Sequence, residues 1–301
     1  MAQISVIITC FNQKNFIRDA MDSALAQRSA GEEVIVVDDA SSDGSLKILE
    51  EYAGKIHLIK SEKNQGACAA RNAGASASTG NFLVFLDGDD FLLPWALATY
   101  RRIIELKTPK IILCRLHQFR GPLPAPQFSN FGREIQIAEY DALVRKSHPF
   151  GPMTSAFVIE RSVFEQAGGF ASEMFCAEGD DLSVKIGCSG RTIHILSHPT
   201  AGYRIHENNT IHQVSRFVDA MHKVIHNEKM GLYPGGPRFR RERYACIGSA
   251  VIYWFRRAMA TGNYRRAAKL LASGWLMFLV ALASKLHSRV MGHHPAERIA
   301  L

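Results

Sequence analysis

An apolar run, FLVFLDGDDFLLP at residues 82–94, ends in three aspartates within four positions: Asp87, Asp89 and Asp90. Like charges this close disfavour one another's ionisation. Something positive has to offset them if they stay charged. A second acidic pair, Asp38 and Asp39, closes the run EVIVVDD at 33–39. A single aspartate after a strand commonly serves a turn or a helix start. Two acidic clusters at two strand ends point to a site instead. Clustered carboxylates with no lysine at hand suit a hard divalent cation. Mg2+ takes one or two protein carboxylates and completes its shell with water and substrate phosphates. Mn2+ accepts the same oxygen ligands. A metal held this way serves a diphosphate, so the pattern asks for a nucleotide.

The elements that must carry these residues alternate. ISVIIT (4–9), EVIVVDD (33–39), IHLIKSE (56–62) and NFLVFLD (81–87) read as strands. Between them, Phe16, Ile17, Ala20, Met21, Ala24 and Leu25 recur on one helical face. SSDGSLKILEEYA reads as a second helix with Ser41 or Ser42 as its N-cap, and GACAARNAGASAS (66–78) as a third, rich in small residues. Strands apolar at nearly every position and separated by helices imply a largely parallel sheet covered on both faces. Ligands of such sheets bind at the carboxyl ends of the strands. If the strands ending in Asp39 and Asp87 are neighbours, up to five carboxylates line one crevice. Further on, WALATYRRIIEL reads as helix, KIILCRLHQF (110–119) and TSAFVIER (154–161) as strands, and RGPLPAPQFSNFG (120–132) as a long loop. Residues 162–190 hold short helices, 192–206 is extended, and the pattern is helical from about 212.

The chain has 301 residues, 47% hydrophobic and 21% charged, with net charge +8. That is ordinary globular composition, long enough for one large domain and an appendage. The charge is uneven: RFRRERY (238–244), FRR (255–257) and YRRAAK (264–269) crowd the last third. A basic balance favours anionic partners. Yet no nucleic-acid reader motif is present, and acids at the strand ends would repel phosphates lacking a metal. None of the six cysteines forms a CxxC or zinc-spaced pattern, so Cys10, Cys68, Cys114, Cys176, Cys188 and Cys246 read as reduced core or near-core thiols in a reducing compartment. The start MAQISVIITCFN carries no basic segment with a cleavage site, so no signal peptide is expected. The longest apolar stretch, LLASGWLMFLVALAS at 270–284, has 15 residues, short of the roughly 20 that span a bilayer.

Five segments occur in order: SVIITCFNQKNFI, VIVVDDASSDGS, NQGACAARNAG, FLVFLDGDDFLLP and GYRIHENNT. Each is weak alone. Together, over about residues 3–210, the chain resembles a non-processive family 2 glycosyltransferase of bacterial type. The resemblance implies a GT-A fold, an α/β Rossmann-like domain with a mostly parallel central sheet, over 1–211, and a helical, basic extension over 212–301. It implies transfer of a sugar from a nucleotide-diphosphate donor to an acceptor hydroxyl with inversion, in surface polysaccharide or glycoconjugate synthesis. By the same resemblance Thr9, Phe11 and Asn12 hold base and ribose. Asp39, with Asp38 beside it, holds the base, and Arg71 lies near base and phosphates. Asp87 and Asp89 match the two ends of the DxD motif, Asp89 as metal ligand and Asp87 on ribose or metal. Asp90 is a weaker ligand candidate that could equally cap the helix near Pro94.

The base that takes the acceptor proton should lie in CAEGDDLSVKIG (176–187). Here the chain departs from the family pattern, because Gly179 falls where the family's aspartate stands. Asp180 is favoured in its place, with Glu178 as the alternative and Asp181 as helix cap; all three could instead stabilise a helix N-terminus. In YRIH (203–206), Arg204 or His206 could meet the diphosphate or metal. His293 and His294 read as solvated. The basic residues flanking the apolar stretch fit either a helix lying on an anionic membrane or a helix pair packed on the transferase domain. The expected setting is cytoplasmic, with peripheral contact on the inner face of a membrane and a glycan or lipid-linked acceptor. A nucleotidyltransferase is disfavoured because TCFNQKNFI lacks any glycine, and a processive synthase because no QxxRW motif is present. A non-catalytic nucleotide- or metal-binding protein of the same fold draws its support from Gly179.

Overall fold

The structure, a computed structural model, describes residues 3–123, 134–145, 154–291 and 296–300. The first half alternates as β1 (Ile4–Cys10), α1 (Ile17–Leu25), β2 (Glu33–Asp38), α2 (Ser45–Glu50), β3 (His57–Lys60), α3 (Ala67–Ala77) and β4 (Phe82–Asp87). There follow β5 (Phe91–Leu92), α4 (Ala96–Lys107), β6 (Ile111–Phe119), β7 (Glu134–Tyr140), β8 (Phe157–Glu160), α5 (Arg161–Gln166), α6 (Glu178–Lys185) and β9 (Thr192–Arg204). The chain ends with α7 (Val214–Lys229), α8 (Arg240–Ala260), α9 (Tyr264–Met291) and β10 (Glu297–Ala300).

Alternation along the strands decides how the layers stack. Val6, Ile8, Val34, Val36, Val84 and Leu86 turn to one face and join Ile17, Met21, Leu97 and Tyr100 of α1 and α4. Ile7, Leu83 and Phe85 turn to the other and join Cys68, Phe164 and Leu182 of α3, α5 and α6. Successive strand side chains point to opposite faces. Because both sets are apolar, both faces are covered, as expected for this class of sheet. The small residues of α3 have a reason: a Cβ on Gly74 would sit 2.4 Å from the Ile7 side chain.

Strand order is β10-β7-β9-β6-β8-β4-β1-β2-β3, with β5 alongside β9. The run β3-β2-β1-β4 is parallel, as is β6 with β9, while β8 lies antiparallel between β4 and β6. One sequence expectation is corrected here. β2 and β4 are not neighbours, because β1 runs between them, with Cys10 opposite Asp38 and Thr9 opposite Asp87. The acidic clusters therefore flank the end of β1, about 10 Å apart at two strand spacings.

Local expectations are corrected too. Neither Ser41 nor Ser42 caps α2; Gly44 holds that position with φ 97, and Asp43 accepts from the Ser45 amide at 2.9 Å. The loop expected at 120–132 is described only to Leu123, and the rest of it lies outside the described residues, as do His293 and His294. The cysteines sit as expected, four buried and two partly buried.

The helical extension is not a separate lobe at its inner end. Val214, Phe217, Met221 and Val224 of α7 and Ile247, Val251 and Trp254 of α8 form one core with Met174, Cys176, Ala177 and Val184. Trp254 is fully buried and stacks on Phe217 at 3.9 Å. Its last residues return to the sheet, since β10 pairs antiparallel with β7 at the far edge.

Candidate active site

The end of β1 turns through Asn12, which adopts φ 54, and the end of β2 through Ala40 at φ 61. The two turns are laced together: the Asn12 amide donates to Ser41 Oγ at 3.0 Å, and Asn12 Oδ1 accepts from the Ser42 amide at 2.8 Å. Phe11 stays 45% exposed beside them, an aromatic face open to a planar group. Asp39 is buried and accepts from the Gln65 and Gly66 amides, at 2.9 and 2.7 Å, fixing the chain that enters α3. Asp38 accepts from the Ser41 amide at 3.2 Å, while its other oxygen is buried without a hydrogen-bond partner.

The three aspartates after β4 are relieved in three different ways. Asp87 is paired: Arg71, 4% exposed, donates to Asp87 Oδ1 at 2.7 Å and reaches Glu178 Oε1 at 3.3 Å. Burial opposes the Arg71 charge, but Asp87 and Glu178 more than offset it and hold the guanidinium protonated above its ordinary range. Phe170 lies 5.3 Å under its face. Asp89 is met by His206 Nε2 at 2.9 Å, with the Asn209 amide at 3.5 Å. Asp90 is pushed well above the usual carboxylate range by burial, then by the charges of Asp89 and Asp87. It accepts from Ser155 Oγ at 2.9 Å and from the Arg204 amide at 3.0 Å. It does not cap α4, whose cap position is Trp95 with no side-chain bond. Gly88 keeps the loop tight, because a Cβ there would sit 2.6 Å from the Thr9 carbonyl.

The acids of α6 point in three directions, as residues one or two apart on a helix must. Glu178 faces the crevice through Arg71, and its Oε2 is buried with no hydrogen-bond partner. Asp181 points inward, accepting from Tyr233 Oη at 2.7 Å and pairing with Lys185 at 2.8 Å. It lies inside the first turn of α6, whose cap position is Ala177, so it is not the helix cap. Asp180 lines a small, partly open cavity of about 10 Å³ with Ser183, Met221, Val224, Cys246 and Ile247. Burial, then the neighbouring charges of Glu178 and Asp181, push its carboxyl up to about 7. Asp180 thus lies against α7 and α8, whereas Glu178 lies beside Arg71 at the end of β4.

Arg204 is consumed by the protein. It donates to Asp19 Oδ2 and the Gly121 carbonyl, both at 2.7 Å, and to the Asp89 carbonyl at 3.0 Å. Phe16 and Phe119 sandwich it at 4.9 and 4.8 Å. His206 stacks on Phe16 at 4.9 Å and borders an open cavity of about 590 Å³ with Asp19, Pro122 and Leu123.

Asp87, Asp89 and His206 offer the donor types that a divalent cation takes. No cluster of three or more His, Cys, Asp and Glu with metal-holding geometry occurs among the described residues. Instead Asp89 and His206 converge, and Asp87 Oδ2 has only Thr154 Oγ1, at 3.3 Å. So short a set would leave an ion to draw its remaining ligands from water and phosphate.

Sequence reasoning missed Thr154 and Ser155, both buried, which hold Asp87 and Asp90. Two adjacent hydroxyls opening the expected strand at 154 were the available signal. It also missed Asn209 and Asp19, whose roles depend on chain crossings far apart in sequence.

The family model for Glycosyl transferase family 2 matches residues 5–168, more than half of the 301. The putative glycosyltransferase EpsH of Bacillus subtilis is 37% identical over 79% of this chain and 69% of its own length. The succinoglycan biosynthesis protein ExoO of Rhizobium meliloti is 29% identical over 72% of this chain and 65% of its own. Against four other curated relatives the match spans 61%, 46%, 15% and 36% of their length. Among solved structures, the mannosyltransferase PcManGT of Pyrobaculum calidifontis, in complex with GDP-Man and Mn2+, superposes with TM-score 0.57 and 18% identity, covering 97% of this chain and 88% of that one. The shared fold is GT-A.

Proposed function

The chain belongs to glycosyl transferase family 2, and on that premise we propose that it moves a sugar from a nucleotide-diphosphate donor to an acceptor hydroxyl. The observation that carries this reading is that Asp87 and Asp89, met by Arg71, Glu178 and His206, stand at the end of β4, two strands along the parallel sheet from Asp38 at the end of β2. That ExoO is a succinoglycan biosynthesis protein supports a glycan acceptor.

In this reading Phe11 gives its exposed face to the base. Thr9, Asn12, Asp38 and Asp39 surround base and ribose. Asp89 and His206 would hold Mg2+ or Mn2+, with Asp87 beside them. When bound, the metal supplies positive charge to the diphosphate leaving group as the sugar–phosphate bond breaks. Arg71 binds no phosphate directly, because its guanidinium is engaged by Asp87 and Glu178. It positions both.

Glu178 takes the acceptor proton. It is the acid of α6 that reaches Arg71 beside the end of β4, whereas Asp180, which also has an unpartnered oxygen, lies against α7 and α8. A single carboxylate receiving the acceptor hydroxyl's proton opposite the leaving diphosphate gives inversion. Well-placed bases contribute about 10²- to 10⁴-fold.

The test is calorimetric titration with UDP and GDP, with and without Mn2+, on the native chain and Asp89→Ala. Metal-dependent binding of one nucleotide, lost in the variant, is the expected result. No binding of either nucleotide under any metal would sink the reading.

A further inference from the structure

Helix α9 is kinked at Gly274, where φ is -112 and ψ 15, so its basic turns and its apolar second half are two segments, and together they present two unlike sides. Inward, Ala267, Leu270, Met277 and Ala281 are fully buried against α7 and α8. Outward, its second half shows Trp275, Leu276, Leu279, Leu282 and Leu286, with Trp275 56%, Leu279 51% and Leu286 63% exposed. Ala272 and Ala283 are exposed on the same side, so from 275 to 286 the exposed side chains are all apolar. The preceding turns expose Arg265, Arg266 and Lys269. Arg266 reaches Asp219 at 3.3 Å in a solvent-exposed pair.

An apolar stripe of this length in water is costly and calls for a cover. By length and composition Tyr264–Leu286 could cross a membrane. Its packing argues for a helix that lies against the protein rather than one surrounded by lipid. Gly248 of α8 meets α9 so closely that a Cβ there would lie 1.9 Å from the Met277 carbonyl. One side of α9 is therefore committed to the protein, and only the other is available.

We propose that this outer side of α9 lies in the plane of an anionic membrane surface. The leucines would enter the acyl boundary, with Arg265, Arg266 and Lys269 at the headgroups. Trp275 stands where the basic turns give way to the leucines, the level at which aromatic rings settle in a bilayer interface. Charge argues against a second copy of the chain as the cover. An isologous contact would set the three cations against the partner's leucines or its cations, with no acid on the stripe to answer them. An anionic bilayer answers both halves.

The experiment is vesicle co-sedimentation of the full chain, on phosphatidylcholine with and without phosphatidylglycerol, at low and high salt, together with size-exclusion chromatography. The variants are Leu276→Asp/Leu279→Asp and Arg265→Gln/Lys269→Gln, each checked for an unchanged melting temperature and unchanged nucleotide binding. Binding that strengthens by about tenfold or more with phosphatidylglycerol, weakens in salt, blue-shifts tryptophan emission and is lost in the leucine variant is expected. Three results would each overturn the proposal. The native chain could fail to bind anionic vesicles. The leucine variant could bind as well as the native chain. Or the native chain could be a dimer that the leucine variant splits, with no vesicle binding by either.

Discussion

Arg71 Nη2 donates to Asp87 Oδ1 at 2.7 Å from a guanidinium that is almost wholly buried. This is the cation the acidic run of β4 requires, and it comes from α3, sixteen residues earlier. Removing it leaves Asp87 and Glu178 facing each other without compensation. Breaking a buried pair by deleting one partner costs about 3–5 kcal/mol. Arg71→Met should unfold in urea with a loss near the lower end, about 3 kcal/mol, since Asp87 is partly exposed. Arg71→Lys should recover only part of that, because an ammonium cannot fork to both carboxylates. Equal stability of Arg71→Met and the native chain would refute the pairing.

Glu178→Gln and Asp180→Asn separate the two candidate bases. Glu178→Gln should lower kcat by about 10²- to 10⁴-fold and leave nucleotide affinity within about threefold, as expected for a group acting in the transition state. Asp180→Asn should leave kcat within a few-fold. The reverse pattern in donor-turnover assays would return Asp180 to the base role.

Asp180 also gives the chain a pH signature. Its carboxyl is raised from 3.8 to about 7 in the folded state. Between those values the folded state holds a proton that the unfolded state has released, so stability falls as pH rises and levels off above about 7. The gap of about three pH units, at about 1.4 kcal/mol each, sets an upper bound of about 4 kcal/mol. Urea midpoints from pH 5 to 8.5 should decline for the native chain. The decline should be markedly shallower for Asp180→Asn, whose amide stays neutral. Parallel slopes for the two would show that the cavity carboxyl does not titrate in this window.

Much of this site was legible in the sequence because its signals are local. Acids ending apolar runs are visible in DD at 38–39 and DGDD at 87–90, and the strand–helix alternation places both at one edge of a sheet. What escaped is set by contacts between distant segments. No local rule puts β1 between β2 and β4. The direction of Asp180 depends on where α7 and α8 pack, about a hundred degrees around the helix from its neighbours. The hydroxyls of Thr154 and Ser155 matter only because β8 runs antiparallel beside β4. Strands β5 and β10 are too short to announce themselves, with two and four residues.

Asp89 and Asp90 are adjacent yet should behave oppositely. Asp89 Oδ2 meets His206, which borders the open cavity, whereas Asp90 is buried and held toward its neutral form. Asp89→Ala and His206→Ala should each weaken Mn2+-dependent nucleotide binding by tenfold or more, about 1.4 kcal/mol, and Asp89→Ala should abolish the metal response. Asp90→Asn replaces an acid already disposed to be neutral by its neutral isostere. Its amide oxygen can still accept from the Arg204 backbone, and only the bond from Ser155 must reorganise. Binding should stay within about threefold, with a stability loss of about 1 kcal/mol for the disturbed hydrogen bond. Titration of all three variants against UDP and GDP decides it. If Asp90→Asn lost the metal response while Asp89→Ala kept it, the cation would sit on the buried side of the loop, and Asp89 with His206 would be a structural pair only.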